Sequence, residues 1–401
     1  MRFTRRRFVV AAGAAAAGSL LSTGRIEAAP PQAPPLPPPL KPDLFRERQA
    51  KLRADAKARG FDALFLTPST NLVFSANLAI SRSERLTALL IPSDGPTVLV
   101  TPFFEEANHR RTAVADEVKT WQEDEDPMAL VAKMFAGKKV IGIEGSTSYA
   151  TVAALTAATS ARAEDATALF DRLRSVKSEE EQSLIREAAR RTVLAINATH
   201  KRMRSGMSED DVSQILENEF AVQGVKGGGL VQFGPSAAFP HGAPAQRRLA
   251  KGDPVLIDCG CRIYGYSSDI TRTVSFGPPS DEFRKVYATV DRAQVAGIAA
   301  LKAGATGEEV DRAARQVIEE AGYGSFFTHR LGHGLGLDGH EPPYLVRGNK
   351  TPLAAGNTVT VEPGIYLPNR FGARIEDDYA VRTGVPGSLS ERSADLIVIS
   401  P

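Results

Sequence analysis

Four acidic residues in the C-terminal half of the chain carry the most chemical information. They form two pairs, Asp258 with Asp269 and Glu362 with Glu376, and each lies in or beside a run of apolar and β-branched residues. A lone carboxylate buried among such residues costs several kcal/mol unless positive charge compensates it. A pair of divalent cations would supply that charge, so the pattern predicts a dinuclear metal site.

The two acidic pairs occupy matching places in an internal duplication. Residues 204–212 (RSGMSEDDV) align without a gap with residues 302–310 (KAGATGEEV). Each copy then predicts an amphipathic helix, a glycine-rich loop and a β-hairpin, which turns near Gly265 in the first copy and within residues 368–372 in the second. Hairpin pairing would bring both members of each acidic pair to one face, so that two pseudo-symmetric halves offer four oxygen ligands to one centre.

Histidines are concentrated in the same half of the chain. Four of the six lie there, namely His241, His329, His333 and His340. The glycines around His333 superficially suggest a phosphate loop, but the preceding strand and the acidic partner of a dinucleotide-binding fingerprint are missing. A second glycine run, at residues 227–229, predicts a flexible loop.

In this order, the motifs resemble those of the pita-bread metallopeptidases, a family that includes aminopeptidase P, prolidase and methionine aminopeptidase. The matching segments are residues 264–273, 332–337, 361–364 and 374–377. The resemblance implies a dinuclear centre with five metal ligands. In chain order they would be Asp258, Asp269, His333, Glu362 and Glu376.

The donor set decides which metals are suitable. Two Asp, two Glu and one His are oxygen-rich and moderately hard, which suits Mn, Co, Zn or Fe, and we favour two Mn ions. Two such cations can lower the pKa of a bridging water and generate hydroxide at neutral pH. In the mechanism that the resemblance implies, this hydroxide attacks the carbonyl before a proline, and Glu362 carries the proton to the leaving nitrogen.

The resemblance also implies roles for residues around the metals. His241 and His340 would line the substrate pocket, and either could donate to the developing oxyanion. His329 would face the proline side of the substrate. Arg374 would order the carboxylates around Glu376.

The expected function is therefore that of an exported hydrolase that cleaves the Xaa-Pro bond at the N-terminus of peptides with proline at the second position. An Xaa-Pro dipeptidase (prolidase) is the main alternative, because His340-Glu341-Pro342-Pro343 is closer to prolidase-like members. A metal-dependent lyase acting on dimethylsulfoniopropionate and a non-catalytic pita-bread binding protein are further alternatives. The intact set of five ligands argues against the last.

The fold class that positions these residues is α+β. Residues 173–401 are predicted to form a pita-bread catalytic domain with a pseudo-twofold internal repeat, and residues 43–172 a smaller α/β domain of the creatinase/prolidase type. The smaller domain predicts a helix over residues 43–59 and strands near 63–66, 88–92, 97–101 and 140–144. The resemblance implies that it narrows the substrate cleft and builds a contact in a homodimer or higher homo-oligomer.

The first 42 residues are predicted to lie outside the fold. Residues 1–29 combine three consecutive arginines, Arg5 to Arg7, with a short apolar stretch rich in Ala and Gly, which is typical of a twin-arginine export signal. Residues 30–42 contain eight prolines in thirteen positions, a composition that favours an extended linker. We therefore expect a periplasmic or secreted protein with no membrane span once the signal is removed.

Charge and cysteine content exclude other classes. The formal net charge of the whole chain is +2, and removing residues 1–29 with their five Arg and one Glu leaves about −2. This leaves no basic patch for nucleic acid. The two cysteines, Cys259 and Cys261, lie two apart in a predicted strand and cannot form a disulfide with each other.

Overall fold

The structure is a computed structural model and describes residues 34–242, 247–393 and 395–401. The predicted export signal, residues 1–29, lies outside the described residues. No helix in the described part of the chain is both long enough and apolar enough to cross a membrane.

The N-terminal domain is built on a mixed six-stranded sheet flanked by helices. Its elements are α1 (Pro42–Ala58), β1 (Ala63–Leu66), α2 (Thr70–Ala76), β2 (Ala88–Pro92), β3 (Val98–Pro102), a 3-10 turn (Phe103–Glu105), α3 (Glu106–His109), β4 (Glu117–Trp121), α4 (Pro127–Met134), β5 (Val140–Ile143), α5 (Tyr149–Thr159), β6 (Arg162–Asp165) and α6 (Thr167–Ser175). The strand order is β4-β3-β2-β1-β5-β6, with β1 antiparallel to β2 and parallel to β5. This confirms the predicted α/β character.

The central strands of this sheet were predictable and its edges were not. Strands β1, β2 and β3 are buried along their whole length, so their sequences read as continuous apolar runs. The edge strands β4 and β6 have charged sequences, EVKTW and RAED, and β6 is largely exposed. Charged side chains on edge strands discourage pairing with another chain, and they also remove the pattern by which a strand is recognised.

In its described residues, the catalytic domain contains four long helices and three sheets. Its elements are α7 (Glu179–Arg202), α8 (Glu209–Val222), β7 (Gly227–Phe233), a 3-10 turn (Gly234–Ala238), β8 (Asp253–Ile263), β9 (Tyr266–Ser267), β10 (Ile270–Phe276), α9 (Asp281–Ala300), α10 (Gly307–Glu320), a 3-10 turn (Gly324–Phe326), β11 (Gly332–Gly334), β12 (Glu341–Leu345), β13 (Thr358–Val361), β14 (Gly364–Leu367), β15 (Phe371–Arg374), β16 (Asp377–Ala380), β17 (Gly387–Ser388) and β18 (Val398–Ile399). The sheets have the orders β18-β10-β8-β7, β12-β11-β13-β16-β17 and β14-β15.

The duplication seen in the sequence is repeated in the structure. Helices α8 and α10 both begin with a capping box, formed by Ser208 with Asp211 and by Thr306 with Glu309. One buried core is formed by α7 and α8 with β7, β8 and β10, and a second by α9 and α10 with β13 to β16. Each half thus packs two helices against antiparallel strands.

The hairpins turn where the sequence predicts, but the second one is interrupted. The first turns at Tyr264-Gly265, both with positive φ, as a two-residue hairpin loop requires. In the second copy, β13 pairs with β16 and β14 pairs with β15, in two separate sheets. Glu362 and Glu376 lie at the break between these sheets.

One prediction about a flexible segment is wrong. Residues 227–229 begin strand β7 and pair with β8. Glycine is needed there because the two strands pack closely: a Cβ on Gly229 would lie 2.1 Å from the carbonyl oxygen of Asp258. Residues 34–41 of the predicted linker contact the catalytic domain. Arg191 donates to the carbonyl of Pro35 at 2.8 Å, and Tyr264 donates to that of Pro37 at 2.9 Å.

A buried ion pair connects the two domains. Arg48 in α1 contacts Glu181 in α7, with 2.7 Å between Nη2 and Oε1, and also donates to the hydroxyl of Tyr266 at 2.9 Å. The Tyr266 hydroxyl donates in turn to Glu181 at 2.7 Å. The three groups satisfy one another away from water, so they hold the N-terminal domain beside the β8–β9 turn.

Candidate metal centre

All nine residues singled out from the sequence line one cavity of the catalytic domain. The cavity has a volume of about 490 Å³, and its wall is completed by Pro240 and Arg330. A wider and more open cavity of about 750 Å³ also reaches Asp258 and Asp269, but His333, Glu362 and Glu376 are not part of its wall. The smaller cavity is therefore the one with the full set of donor atoms.

Strands of both halves of the duplication place the four carboxylates. Asp258 lies within β8, opposite Thr271 of β10, and Asp269 immediately precedes β10. Glu362 follows the last residue of β13, and Glu376 precedes β16. An isolated bridge between Thr271 and Glu376 brings the two halves together at this point. Each copy thus contributes two carboxylates to the same cavity.

The donor atoms form compact groups. Among the residues that the structure describes, three groups have ligand atoms within 4.8 Å of one another: Asp258, Asp269 and Glu376; His333, Glu362 and Glu376; and Asp269, His333 and His340. Bonds of about 2.0–2.2 Å around one cation place ligand atoms roughly 3–4 Å apart, so only small adjustments are needed to bind a metal. Glu376 is common to the first two groups, which suits a carboxylate shared by two neighbouring cations.

The carboxylates carry more negative charge than their surroundings neutralise. Burial raises the pKa of Asp269 well above its ordinary value, and the charge of Asp258 raises it further. The pKa of Glu376 is raised in the same way, by burial and then by Asp269. Without cations, these groups are driven to take up protons. The site therefore fits metal ions that would replace those protons.

His333 has the geometry of a metal ligand. Its Nδ1 lies 3.0 Å from the carbonyl oxygen of Gly334, which can only accept, so Nδ1 carries a proton. Its Nε2 lies 3.2 Å from Oε1 of Glu362 and 3.8 Å from Oδ2 of Asp269. Burial favours the neutral form of Glu362, but the hydrogen bond from His333 and nearby positive charges lower its pKa to about 2. With Nδ1 donating to that carbonyl, Nε2 is the nitrogen that would bind a cation.

Arg374 orders the carboxylates in a way the sequence only partly suggested. Its Nη2 donates to Oδ2 of Asp258 at 2.6 Å, whereas Nε and the nearest oxygen of Glu376 are 3.9 Å apart. Its Nε donates instead to Thr271 Oγ1 at 3.0 Å, and Thr271 donates to Glu376 at 2.6 Å. Arg374 therefore holds Asp258 directly and Glu376 through Thr271. Thr271 was missed, although it lies only two residues after Asp269, in strand β10.

His329 lines the cavity with both ring nitrogens already occupied. Its Nδ1 donates to the carbonyl of Arg330 at 2.7 Å, and its Nε2 is 2.8 Å from the hydroxyl of Tyr366. Burial lowers the pKa of His329, so the neutral ring accepts from Tyr366. Arg374 donates to the same hydroxyl at 2.7 Å, and burial raises the pKa of Tyr366 to about 12. Tyr366 thus connects two site residues, His329 and Arg374.

His340 and His241 are the exposed histidines of the cavity. The ring of His340 packs against that of His333, with 3.9 Å between centroids. Burial, followed by the charges of His333 and Arg330, lowers the pKa of His340. Neither ring makes a hydrogen bond within the described ranges, so both have nitrogens available to a substrate.

Comparisons with known protein families agree with this architecture. Residues 183–383 match metallopeptidase family M24, and residues 48–176 match the creatinase/prolidase N-terminal domain. A probable dipeptidase PepE of Mycobacterium tuberculosis is 35% identical over 368 residues, which cover 89% of this chain and 97% of the relative.

Solved structures give the same picture. Dipeptidase PepE from Mycobacterium ulcerans has a TM-score of 0.84 at 33% identity, covering 91% of this chain and 100% of that one. An Xaa-Pro dipeptidase from Bacillus anthracis has a TM-score of 0.82 at 33% identity, covering 88% of this chain and 99% of that one. An X-Pro aminopeptidase from Thermotoga maritima has a TM-score of 0.77 at 30% identity, covering 86% of this chain and 100% of that one.

Proposed function

Since this chain belongs to metallopeptidase family M24, we propose that it hydrolyses the bond before proline in Xaa-Pro dipeptides with two divalent metal ions, preferably Mn. The observation that carries the proposal is the convergence of five donor side chains from both halves of the duplication on one cavity. Dipeptides are favoured because relatives similar along nearly their whole length are named as dipeptidases.

The metal ligands would be the five residues predicted from the sequence, Asp258, Asp269, His333, Glu362 and Glu376. When bound, two divalent cations would polarise the scissile carbonyl and supply a water of lowered pKa. The chain's own residues then have to position the substrate and move protons.

Glu362 is suited to carry the proton. Its Oε1 accepts from Thr360 at 3.1 Å and faces His333, which leaves Oε2 to take a proton from water and pass it to the proline nitrogen. His340 and His241 can donate to the carbonyl oxygen as it gains charge. His329, fixed by Tyr366 and by the Arg330 carbonyl, presents ring carbons to the proline side of the substrate.

Release of the first residue from longer Xaa-Pro peptides, the activity expected first from the sequence, is the second candidate function. Its support is the similarity to the Thermotoga maritima structure named as an X-Pro aminopeptidase. Both activities require the same metal centre. They differ in what the far end of the cavity accepts after the proline.

We further propose that the protein is exported by the twin-arginine route and works as a homo-oligomer. The support for export is the run Arg5-Arg6-Arg7 before an apolar segment. Replacing two of these arginines by lysine should retain the protein in the cytoplasmic fraction. Light scattering of the protein starting at Pro34 measures the oligomer.

The deciding experiment compares substrates with the chelated and Mn-reloaded protein. Proline release from Ala-Pro, lost in Glu362→Gln and retained in the exposed control Glu217→Gln, would support the dipeptidase. Turnover of Ala-Pro-Gly but not of Ala-Pro would move the function to an aminopeptidase. Acrylate from dimethylsulfoniopropionate would indicate the lyase. Fewer than one bound metal per chain, with no turnover, would indicate a binding protein.

A further inference from the structure

We propose that Arg330 binds the C-terminal carboxylate of the substrate and thereby selects dipeptides over longer peptides. This inference rests on the proposed Xaa-Pro hydrolase function and adds the residue that sets its substrate length.

Arg330 is placed in the reaction cavity by the segment that also carries His329. It lines the cavity together with His340 and the predicted metal ligands. It is half-buried, and its guanidinium carbon lies 4.6 Å from the centre of the Tyr344 ring. A guanidinium stacked on an aromatic face is held in one plane while its N–H groups remain free to bind a ligand.

The charge of Arg330 has no partner in the part of the chain that the structure describes. No hydrogen bond or ion pair to its guanidinium is present there, whereas Arg374, the other arginine of the cavity, is fully engaged. Arg374 contacts Asp258, Thr271, Tyr366 and the carbonyl of Pro240. Arg330 is therefore the permanently charged cation of this cavity that is available to a substrate.

An Xaa-Pro dipeptide offers one group that matches this cation. Its only anion is the proline carboxylate, one residue beyond the scissile bond, and adjacent Cα atoms are about 3.8 Å apart. The carboxylate must therefore lie in the same cavity as the reacting carbonyl. A guanidinium can bind it through two parallel hydrogen bonds. In a longer peptide the same position is a neutral amide, which offers one oxygen and no charge.

The test uses Ala-Pro and its C-terminal amide, which differ only in the group that Arg330 would bind. For Arg330→Gln we expect the KM for Ala-Pro to rise roughly 10- to 100-fold, the range for losing a charged hydrogen-bond partner, with a smaller change in kcat. Turnover of the amide should stay the same, so the preference for the free acid is lost. For Arg330→Lys the KM for Ala-Pro should lie between the wild-type and Arg330→Gln values, because lysine keeps the charge but cannot form the two parallel hydrogen bonds.

Arg347→Gln is the matched control, since Arg347 is exposed and outside the cavity. Thermal unfolding verifies that each variant is folded. An unchanged ratio of acid to amide turnover in Arg330→Gln would overturn the proposal. Equal losses on both substrates would also overturn it, because they would mean that Arg330 only supports the structure of the cavity.

A binding measurement separates this proposal from the proposed function. Calorimetry with the Glu362→Gln variant reports binding of Ala-Pro without turnover. Adding Arg330→Gln should weaken that binding roughly 10- to 100-fold, and binding of the amide should change little. If the wild type hydrolyses neither compound but shows this difference, the dipeptidase proposal fails and the carboxylate site stands. If Ala-Pro and its amide bind equally to Glu362→Gln, the carboxylate site fails.

Discussion

Thr271 and Glu376 join the two copies of the duplication through a side-chain hydrogen bond. Thr271 Oγ1 donates to Glu376 Oε2 at 2.6 Å, and the backbone N–H of Glu376 donates to the carbonyl of Thr271 at 3.2 Å. Thr271 is fully buried, and it also accepts from Arg374. One hydroxyl thus fixes the orientation of a predicted metal ligand from the opposite half of the molecule.

Removing this hydroxyl should weaken metal binding. Thr271→Val keeps the shape but leaves Glu376 without its donor, and loss of such an outer partner typically costs about 10- to 100-fold in metal affinity. Activity as a function of Mn concentration measures the change. Thr271→Ser keeps the hydroxyl and should bind Mn nearly as the wild type does. Equal affinities in Val and Ser variants would contradict the role given to this bond.

Two adjacent glycines of β7 should respond oppositely to alanine. A Cβ on Gly229 would lie 2.1 Å from the backbone oxygen of Asp258, whereas on Gly228 its nearest neighbour would be 3.6 Å away, in Glu217. Gly229→Ala should lower the free energy of unfolding by at least about 2 kcal/mol and displace Asp258. The free energy of unfolding of Gly228→Ala should stay within about 1 kcal/mol of the wild-type value. Urea unfolding and metal content test both, and similar stabilities would argue against close strand packing.

His200 should make the stability depend on pH. Burial, and then the charge of Arg272, lower the pKa of this histidine from 6.5 to about 4. Below pH 6.5 the unfolded chain therefore binds a proton that the folded chain does not. Stability should be complete above pH 6.5 and fall as the pH drops towards 4.

The non-titrating variant His200→Phe isolates this contribution. Between pH 7 and pH 4.5 the wild type should lose roughly 2–3 kcal/mol more than His200→Phe does. Urea unfolding with a chelator present in both samples excludes metal release as the cause. Parallel pH profiles would mean that His200 has an ordinary pKa in the folded protein.

Residues 34–40 should contribute to stability although their composition suggests a linker. Arg191 is fully buried and donates to the carbonyls of Pro34 and Pro35 at 3.3 and 2.8 Å. A chain beginning at Lys41 leaves these donors unpaired, so it should be roughly 1–3 kcal/mol less stable than a chain beginning at Pro34. Tyr264→Phe removes only a half-exposed hydrogen bond and should cost less. Identical urea midpoints for the two chains would show that the segment does not dock in solution.

Sequence patterns were informative where the constraint is local. The turn at Gly265 needs a positive φ, and glycine is the residue type that adopts it most readily. The capping box formed by Ser178 and Glu181 at the start of α7 is likewise visible in a few letters. By contrast, the sequence predicts a loop at residues 227–229, because a glycine that permits a flexible turn cannot be distinguished by type from a glycine that permits close strand packing.

The sequence alone determined the types and order of the donor side chains, the duplication that carries them and the two-domain plan, because motif, spacing and periodicity are properties of neighbouring residues. Only the tertiary structure decided which partner each donor has. Thr271 and Glu376 are 105 residues apart, His329 and Tyr366 are 37 apart, and Arg191 meets Pro35 across 156 residues. Such contacts depend on ångström-scale distances between segments that fold together from far apart, and no local pattern records those distances.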